Sequence, residues 1–217
     1  MIYRFAKRVT DLGLSAAAVL VLGPVMLLIA VLIKAGSPGP VFYRGERAGK
    51  DGRVFHILKF RSMVVDAERK GGFSTAIDDP RLTGTGRSIR KYKLDELPQF
   101  FNVLAGDMSL VGPRPQVLFY TNKYTGEERS ILSIKPGITD LASLYFADMD
   151  AVLGSGDVDS RYLVEVEPVK NKLRLRYVRE QSYFLDIRIL LETAFKMIGF
   201  ENITGLNVSP EESKANG

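Results

Sequence analysis

From Leu12 to Ile33 the chain runs for 22 residues without a charged side chain, and Gly23-Pro24 interrupts the run at its middle. As a straight helix the stretch would be ~33 Å long, enough to cross a hydrocarbon core of about 30 Å. The dipeptide argues against straightness. Pro24 has no N–H for the carbonyl of Leu20 and its ring crowds that carbonyl, while Gly23 adds no stiffness, so a sharp bend is easiest here. Arg4, Lys7 and Arg8 precede the run, and Lys34, Arg44, Arg47, Lys50 and Arg53 follow it. Both flanks thus carry the charge that prefers the cytoplasmic side, whereas a spanning helix carries it on one side only. The reading is a helix over Met1 to Ala35 that enters the bilayer, turns at Gly23-Pro24 and leaves by the same face. A kinked single span and a cleaved signal peptide are the alternatives.

Beyond residue 36, about 180 residues remain, enough for one compact domain. The expected organisation is an anchor over 1–36, a domain over 37–208 and a polar, disordered tail over 209–217. The chain has no cysteine, which removes disulfides, thiolate nucleophiles and cysteine zinc sites. His56 is the only histidine, so a histidine metal cluster is excluded and a Ser-His-Asp triad has one possible base. It lies in the strand-like run Val54 to Phe60 and reads as a half-buried strand residue. The formal charge of +5 suits anionic lipid, nucleic acid or a phosphorylated substrate, and placement must decide among them.

Ser37-Pro38-Gly39-Pro40 cannot continue a helix and forms the exit turn. Val41 to Arg47 and Val54 to Phe60 then flank Gly49, Asp51 and Gly52, the chemistry of a hairpin with a longer loop. Asp66 to Thr85 is mostly loop, with a short helix near Val64 to Lys70. Helical pieces over Gly86 to Tyr92 and Pro98 to Leu104 are joined at Lys93 to Leu97, and Gly106 closes the second. Near the end, Ile187, Leu190, Leu191, Ala194, Phe195 and Ile198 share one helical face, with Asp186, Arg188, Glu192 and Lys196 opposite. Such a helix packs on a core or lies in the lipid interface.

The sharpest chemistry is Asp95-Glu96, just before Pro98, a residue suited to a first helical turn. Both carboxylates would stand near a helix N-terminus, where the macrodipole favours anions. An ionised Asp95 there is either an oxygen nucleophile toward phosphorus, a Mg²⁺ ligand, or a helix cap. In Val111-Gly112-Pro113-Arg114-Pro115 each proline holds its predecessor extended, so Arg114 is offered from a stiff loop, either to a phosphate or to solvent. Lys59 and Arg61 alternate with apolar Leu58 and Phe60 at strand spacing and share one face, either a phosphate-binding edge or a solvated strand face. Arg90, five residues before Asp95, completes a possible ring of cations.

Four ordered strings carry a resemblance. Leu58-Lys59-Phe60-Arg61-Ser62-Met63, Leu94-Asp95-Glu96-Leu97-Pro98-Gln99-Phe100-Phe101-Asn102-Val103-Leu104, Gly106-Asp107-Met108-Ser109-Leu110-Val111-Gly112-Pro113-Arg114-Pro115 and Lys135-Pro136-Gly137-Ile138-Thr139 closely resemble the bacterial sugar transferase family, the monotopic phosphoglycosyl transferases. The match covers Met1 to about Leu141 and resumes over Ser182 to Ile198 with Phe184-Leu185-Asp186-Ile187. The resemblance implies a mixed α/β fold: a re-entrant membrane helix hairpin followed by a small cytosolic catalytic domain with a short β-hairpin and amphipathic interfacial helices. It also implies transfer of a phosphosugar from a UDP-sugar to a polyprenol phosphate, usually undecaprenyl phosphate, with release of UMP and a requirement for Mg²⁺. On that pattern Asp95 is the nucleophile and metal-side carboxylate and Glu96 assists the lipid phosphate. Lys59, Arg61, Arg90 and Arg114 hold the phosphates or the uridine end, and Asp186 supports the site. The expected partners are the donor, the lipid acceptor and the bilayer at the cytosolic face of a bacterial inner membrane, with no nucleic acid. Two positions depart from the family pattern: Gly23 stands where Ser commonly precedes the membrane proline, and Asp140 stands where Gly commonly follows the threonine.

Two other functions use the same composition. A membrane-tethered nucleotide-sugar hydrolase would employ the same groups with water as acceptor. A non-enzymatic protein binding anionic lipid or nucleic acid would account for the charge but not for two carboxylates beside the cations.

Overall fold

The computed structural model describes residues 2–67, 79–146, 161–200 and 202–210. Helix α1 runs over Ile2–Gly36 with Pro24 inside it, so no loop separates two arms at Gly23-Pro24. Its outward side stays apolar and bare: Leu20, Val21 and Leu27 are all at least two-thirds exposed. Its inward side makes a recurring stripe. Asp11 and Ser15 are buried toward one end, and Met26, Ile29 and Ile33 toward the other, at the three- and four-residue spacing of one helical face.

After the exit turn, strands β1 (Phe42–Ala48) and β2 (Val54–Phe60) form the expected antiparallel hairpin, with Phe42 opposite Phe60 and Ala48 opposite Val54. Its loop closes through Gly49 N–H to the Arg53 carbonyl at 2.8 Å, and Asp51 adopts the left-handed conformation that aspartate tolerates. Side chains alternate across β2, so Phe55 and Ile57 face the core while His56 is exposed rather than half-buried. Helix α2 (Gly84–Lys91) begins two residues earlier than the glycine pattern suggested, because the Thr83 hydroxyl caps it by accepting from Gly86 N–H at 2.9 Å. Of the helix expected near Val64 to Lys70, residues beyond 67 lie outside the described residues. The tail beyond 210 does too.

A short 3₁₀ turn over Leu94–Glu96 leads into α3 (Gln99–Ala105), which ends where Gly106 turns left-handed and its N–H returns to Asn102 and Val103. Strand β3 (Ser109–Val111) then lies parallel to β4 (Gly137–Thr139). The two chains approach so closely that a Cβ on Gly137 would stand 2.1 Å from the Gly112 nitrogen, which leaves glycine as the residue that fits. Between these strands lies the short helix α4 (Leu118–Thr121), and after them come α5 (Leu141–Tyr145), α6 (Glu167–Glu180) and α7 (Tyr183–Met197).

Two apolar clusters hold these pieces. The larger joins Phe55 and Ile57 of the hairpin, Val103 of α3, Leu110 and Val111 of β3, Leu173 and Tyr177 of α6 and Ile189 of α7. The smaller sets Met26, Ile29 and Ile33 of α1 against Phe60 and Ile89. The anchor's other end is tied by polar contacts. Lys7 Nζ donates to Asp186 at 2.8 Å and to the Val111 carbonyl at 2.9 Å; Arg8 donates to the Val103 and Leu104 carbonyls. Asp11 accepts from Leu110 N–H at 2.9 Å and from the Ser109 hydroxyl at 3.1 Å. Both ends of α1 therefore dock on one body.

Helix α7 turns only part of its apolar face to the core. Leu185, Asp186, Ile189 and Glu192 are buried, whereas Leu191 is 46% exposed and Ile198 68%. The polar residues turn inward because each has partners: Asp186 takes hydrogen bonds from Tyr3, Lys7 and Tyr177, and Glu192 from Thr204. Of the two settings open to this helix, Leu190 packs on the core, whereas Leu191 and Ile198 are left outside together with Phe184, Met197 and Phe200, as on an interfacial helix.

Candidate active site

The 3₁₀ turn that carries the two carboxylates is set by Lys93, held in the left-handed conformation, and by Pro98, which continues helically into α3. Neither carboxylate caps a helix, since the turn and α3 both begin without a side-chain cap, so the cap reading falls away. Their environments differ. Glu96 Oε1 accepts from Lys59 Nζ at 2.9 Å and from Arg114 Nη2 in a very short contact. Asp95 is 7% exposed and accepts no hydrogen bond among the described residues.

Position follows from three local arrangements. Lys59 reaches Glu96 from β2 because Asn102 ties α3 to that strand, taking Leu58 N–H at 2.8 Å and giving to the His56 carbonyl at 2.9 Å. Arg114 leaves the stiff loop after β3 with one arm on the Ile138 carbonyl at 2.9 Å and the other on Glu96. Its own backbone N–H donates to Asp140 Oδ2 at 3.1 Å, while the other Asp140 oxygen caps α5 through Ser143 N–H at 2.7 Å. The residue that departs from the family pattern thus positions the arginine loop.

Electrostatics separate the pair. Burial pushes the Asp95 carboxyl up and adjacent Glu96 adds to it, although Lys59, Arg90 and Arg114 pull the other way. Burial opposes ionisation of Glu96 as well, but Arg114 and Lys59 overcome it and hold this carboxyl well below the usual range. Two neighbouring carboxyls pushed apart in this way have distinct tasks: one is a fixed anion, the other answers to what binds beside it.

Of the cations read from the sequence, Lys59, Arg90 and Arg114 surround the carboxylates. Arg61 does not. Its guanidinium is buried against the exit turn, donating to the Pro38 carbonyl at 2.6 Å and to the Ser37 carbonyl and hydroxyl at 2.9 and 2.7 Å. Strand β2 ends at Phe60, and the chain turns before the alternation that paired Arg61 with Lys59 can act. Asp186 is likewise engaged elsewhere, with Tyr3, Lys7 and Tyr177, where it joins the start of α1 to α7 and, through Lys7, to β3. Both residues hold the anchor to the domain.

Two further residues, Asn102 and Asp140, position the site, and a third, Lys170, lies within electrostatic reach of Arg114 and Asp140. Asn102 belongs to the string Leu94 to Leu104, and Asp140 stands three residues before Ser143, the spacing of a helix cap. Lys170 left no signal. It projects from α6 to Tyr162 Oη at 3.4 Å and lies over the Tyr162 and Phe146 rings. Burial and nearby Arg174 push its ammonium down to about 7.

The divalent metal expected here can be tested on the donor set. Among the described residues no three acidic or histidine side chains cluster, so a cage of protein ligands is absent. Mg²⁺ commonly takes one or two carboxylates and completes its shell with water and substrate phosphate. Asp95, hydrogen-bond-free and pushed up by burial, fits that role, since an adjacent dication would draw its carboxyl back down.

The family model described as bacterial sugar transferase matches residues 2–199. The chain is 39% identical over 198 residues to the UDP-N-acetylgalactosamine-undecaprenyl-phosphate N-acetylgalactosaminephosphotransferase of Aeromonas hydrophila, covering 88% of this chain and 43% of that protein. It is 38% identical over 202 residues to the UDP-glucose:undecaprenyl-phosphate glucose-1-phosphate transferase of Escherichia coli (strain K12), covering 92% and 41%. It thus spans about two fifths of the length of these relatives. An uncharacterized sugar transferase of Bacillus subtilis (strain 168), EpsL, is 35% identical over 201 residues, covering 93% of this chain and 91% of EpsL. The motifs around Asp95-Glu96 and Arg114, the family model over residues 2–199 and these identities agree: the chain belongs to the bacterial sugar transferase family.

Proposed function

We propose that the chain transfers a phosphosugar from a UDP-sugar to a polyprenol phosphate such as undecaprenyl phosphate, through a covalent intermediate on Asp95. The observation that carries this reading is the asymmetry of the dyad: Glu96 is clamped by Lys59 and Arg114, and Asp95 is buried with its oxygens unclaimed among the described residues. An Asp95 oxygen attacks the β-phosphorus, the bond from that phosphorus to the bridging oxygen breaks, and UMP leaves with the electron pair. An oxygen of the lipid phosphate then attacks the same phosphorus, which frees the Asp95 carboxylate and forms the polyprenol diphosphosugar. Two bulky anions thereby use one site in turn.

Arg114 and Lys59 place positive charge where charge develops on phosphoryl oxygens, and Arg90 adds to their field at Asp95. Glu96 keeps both cations in register and, by holding them, assists attack by the lipid phosphate. Bound beside Asp95, Mg²⁺ would neutralise charge on the donor's diphosphate.

The same proposal makes α1 re-entrant. Its two ends contact one domain, which favours entry and exit by a single membrane face. The exposed apolar side of α7 is joined to α1 by the hydrogen bond between Tyr183 Oη and Thr10 Oγ1 at 3.0 Å, and extends the lipid-facing surface. Cysteines introduced at Ile2 and Ser37 should both label from the cytoplasm; labelling of Ile2 from outside would sink the topology.

For the chemistry, protein given Mg²⁺ and a panel of UDP-sugars without lipid should release one burst of UMP on the correct donor. It should also gain one phosphosugar mass, mapped to Asp95. Asp95→Asn should form no adduct. Continuous UMP release without lipid would mark a hydrolase, and turnover only with both substrates, without an adduct, would mark direct displacement.

A further inference from the structure

Helix α3 opens on a side chain with no role in the resting fold. Gln99 is fully covered at 0% exposure, and neither its Nε2 nor its Oε1 has a hydrogen-bond partner among the described residues. A buried amide left unpaired destabilises the fold in a way that leucine at the same place would not. Such a residue is explained by a contact made only in the working state.

Its neighbours say where that contact is. The 3₁₀ turn over Leu94–Glu96, the helical residues Leu97 and Pro98, and α3 form one continuous helical path, on which Gln99 stands one turn after Asp95. Side chains on such a path lean toward its N-terminus, so Gln99 leans back toward the carboxylates. Contacts with β2 agree: Glu96 meets Lys59 and Asn102 meets His56 and Leu58, which brackets Gln99 between them. Asp95 is buried on the same stretch and also accepts no hydrogen bond among the described residues. Lys59 and Arg114 are already held by Glu96.

Resting on the transferase reading, we propose that Gln99 is a positioning residue for Asp95, its Nε2–H donating to the carboxyl oxygen that does not bond phosphorus. That oxygen carries half the carboxylate charge before attack and becomes the carbonyl of the acyl phosphate afterwards. A neutral amide can follow it through both states without quenching the attacking oxygen as a closely paired cation would.

Gln99→Leu in the full chain separates this from a packing role, with Gln99→Met as a second shape control. The expected result is a Tm equal to or above wild type and a KM for the UDP-sugar within about twofold. The UMP burst rate should fall on the order of tenfold, the worth of one neutral hydrogen bond. A wild-type burst rate in both variants would overturn the inference alone and leave the transferase reading standing. So would parallel losses of Tm and rate, which mark a packing residue. Absence of a burst from wild-type protein on every donor would overturn the covalent reading and this inference with it.

Discussion

Replacing Glu96 by Gln keeps the side chain's shape and removes its charge from between Lys59 and Arg114. Both cations use Glu96 Oε1, and the three side chains are a fifth to a third exposed. A charge-assisted hydrogen bond contributes about 1.5–3 kcal/mol and a neutral one about 0.5–1.5, so each contact loses about 1–1.5 kcal/mol. Solvent screening and the relief of Asp95, which no longer faces a second carboxylate, hold the total to about 2 kcal/mol. For a domain of this size that is a Tm decrease of about 4–8 °C at neutral pH. The acid response should differ as well. The Glu96 carboxyl is held below its unfolded value of about 4.3, so its stabilisation is complete above that pH and is lost as the pH falls through the folded value. The gap between wild type and Glu96→Gln should therefore narrow from about pH 5 to pH 3. Calorimetry in detergent at several pH values measures both. Coincident Tm values at neutral pH, with parallel acid responses, would refute the pairing of Glu96 with Lys59 and Arg114.

Arg114→Lys keeps one positive charge but cannot bridge Glu96 and the Ile138 carbonyl together, so kcat/KM should fall by about 10- to 100-fold; kinetics near wild type would make Arg114 a strut. Lys170 in the folded protein binds fewer protons than in the unfolded chain between pH about 7 and its ordinary 10.5, so stability from this group rises across that window. Lys170→Met should raise Tm most at pH 7 and below, with the advantage fading toward pH 10, and a pH-independent difference would argue against the buried ammonium. Asp11→Ala leaves the Leu110 N–H buried without its acceptor and should cost about 1–3 kcal/mol, read as faster proteolysis between α1 and the domain.

Short-range chemistry made several parts of this protein legible in its sequence. An uncharged run forms an apolar helix whatever surrounds it, and Gly49, Asp51 and Gly52 close a hairpin from their own backbone preferences. Pro98 and Gly106 bracket α3 for the same reason, which set Asp95 and Glu96 at its head. Tertiary structure decided the partners. Lys59 comes to Glu96 from 37 positions earlier and Arg114 from 18 later, and only the packing of α3 on β2 and the pairing of β3 with β4 brings them together. Arg61, two residues from Lys59 with the same charge, was drawn to the exit turn because its strand ended first. Asp186 and Glu192 turned inward against the periodicity of α7 because the fold supplied hydrogen bonds for them there. Side-chain pattern acts over one turn or one strand, whereas hydrogen bonding and charge pairing act between surfaces that exist only once the chain has closed on itself.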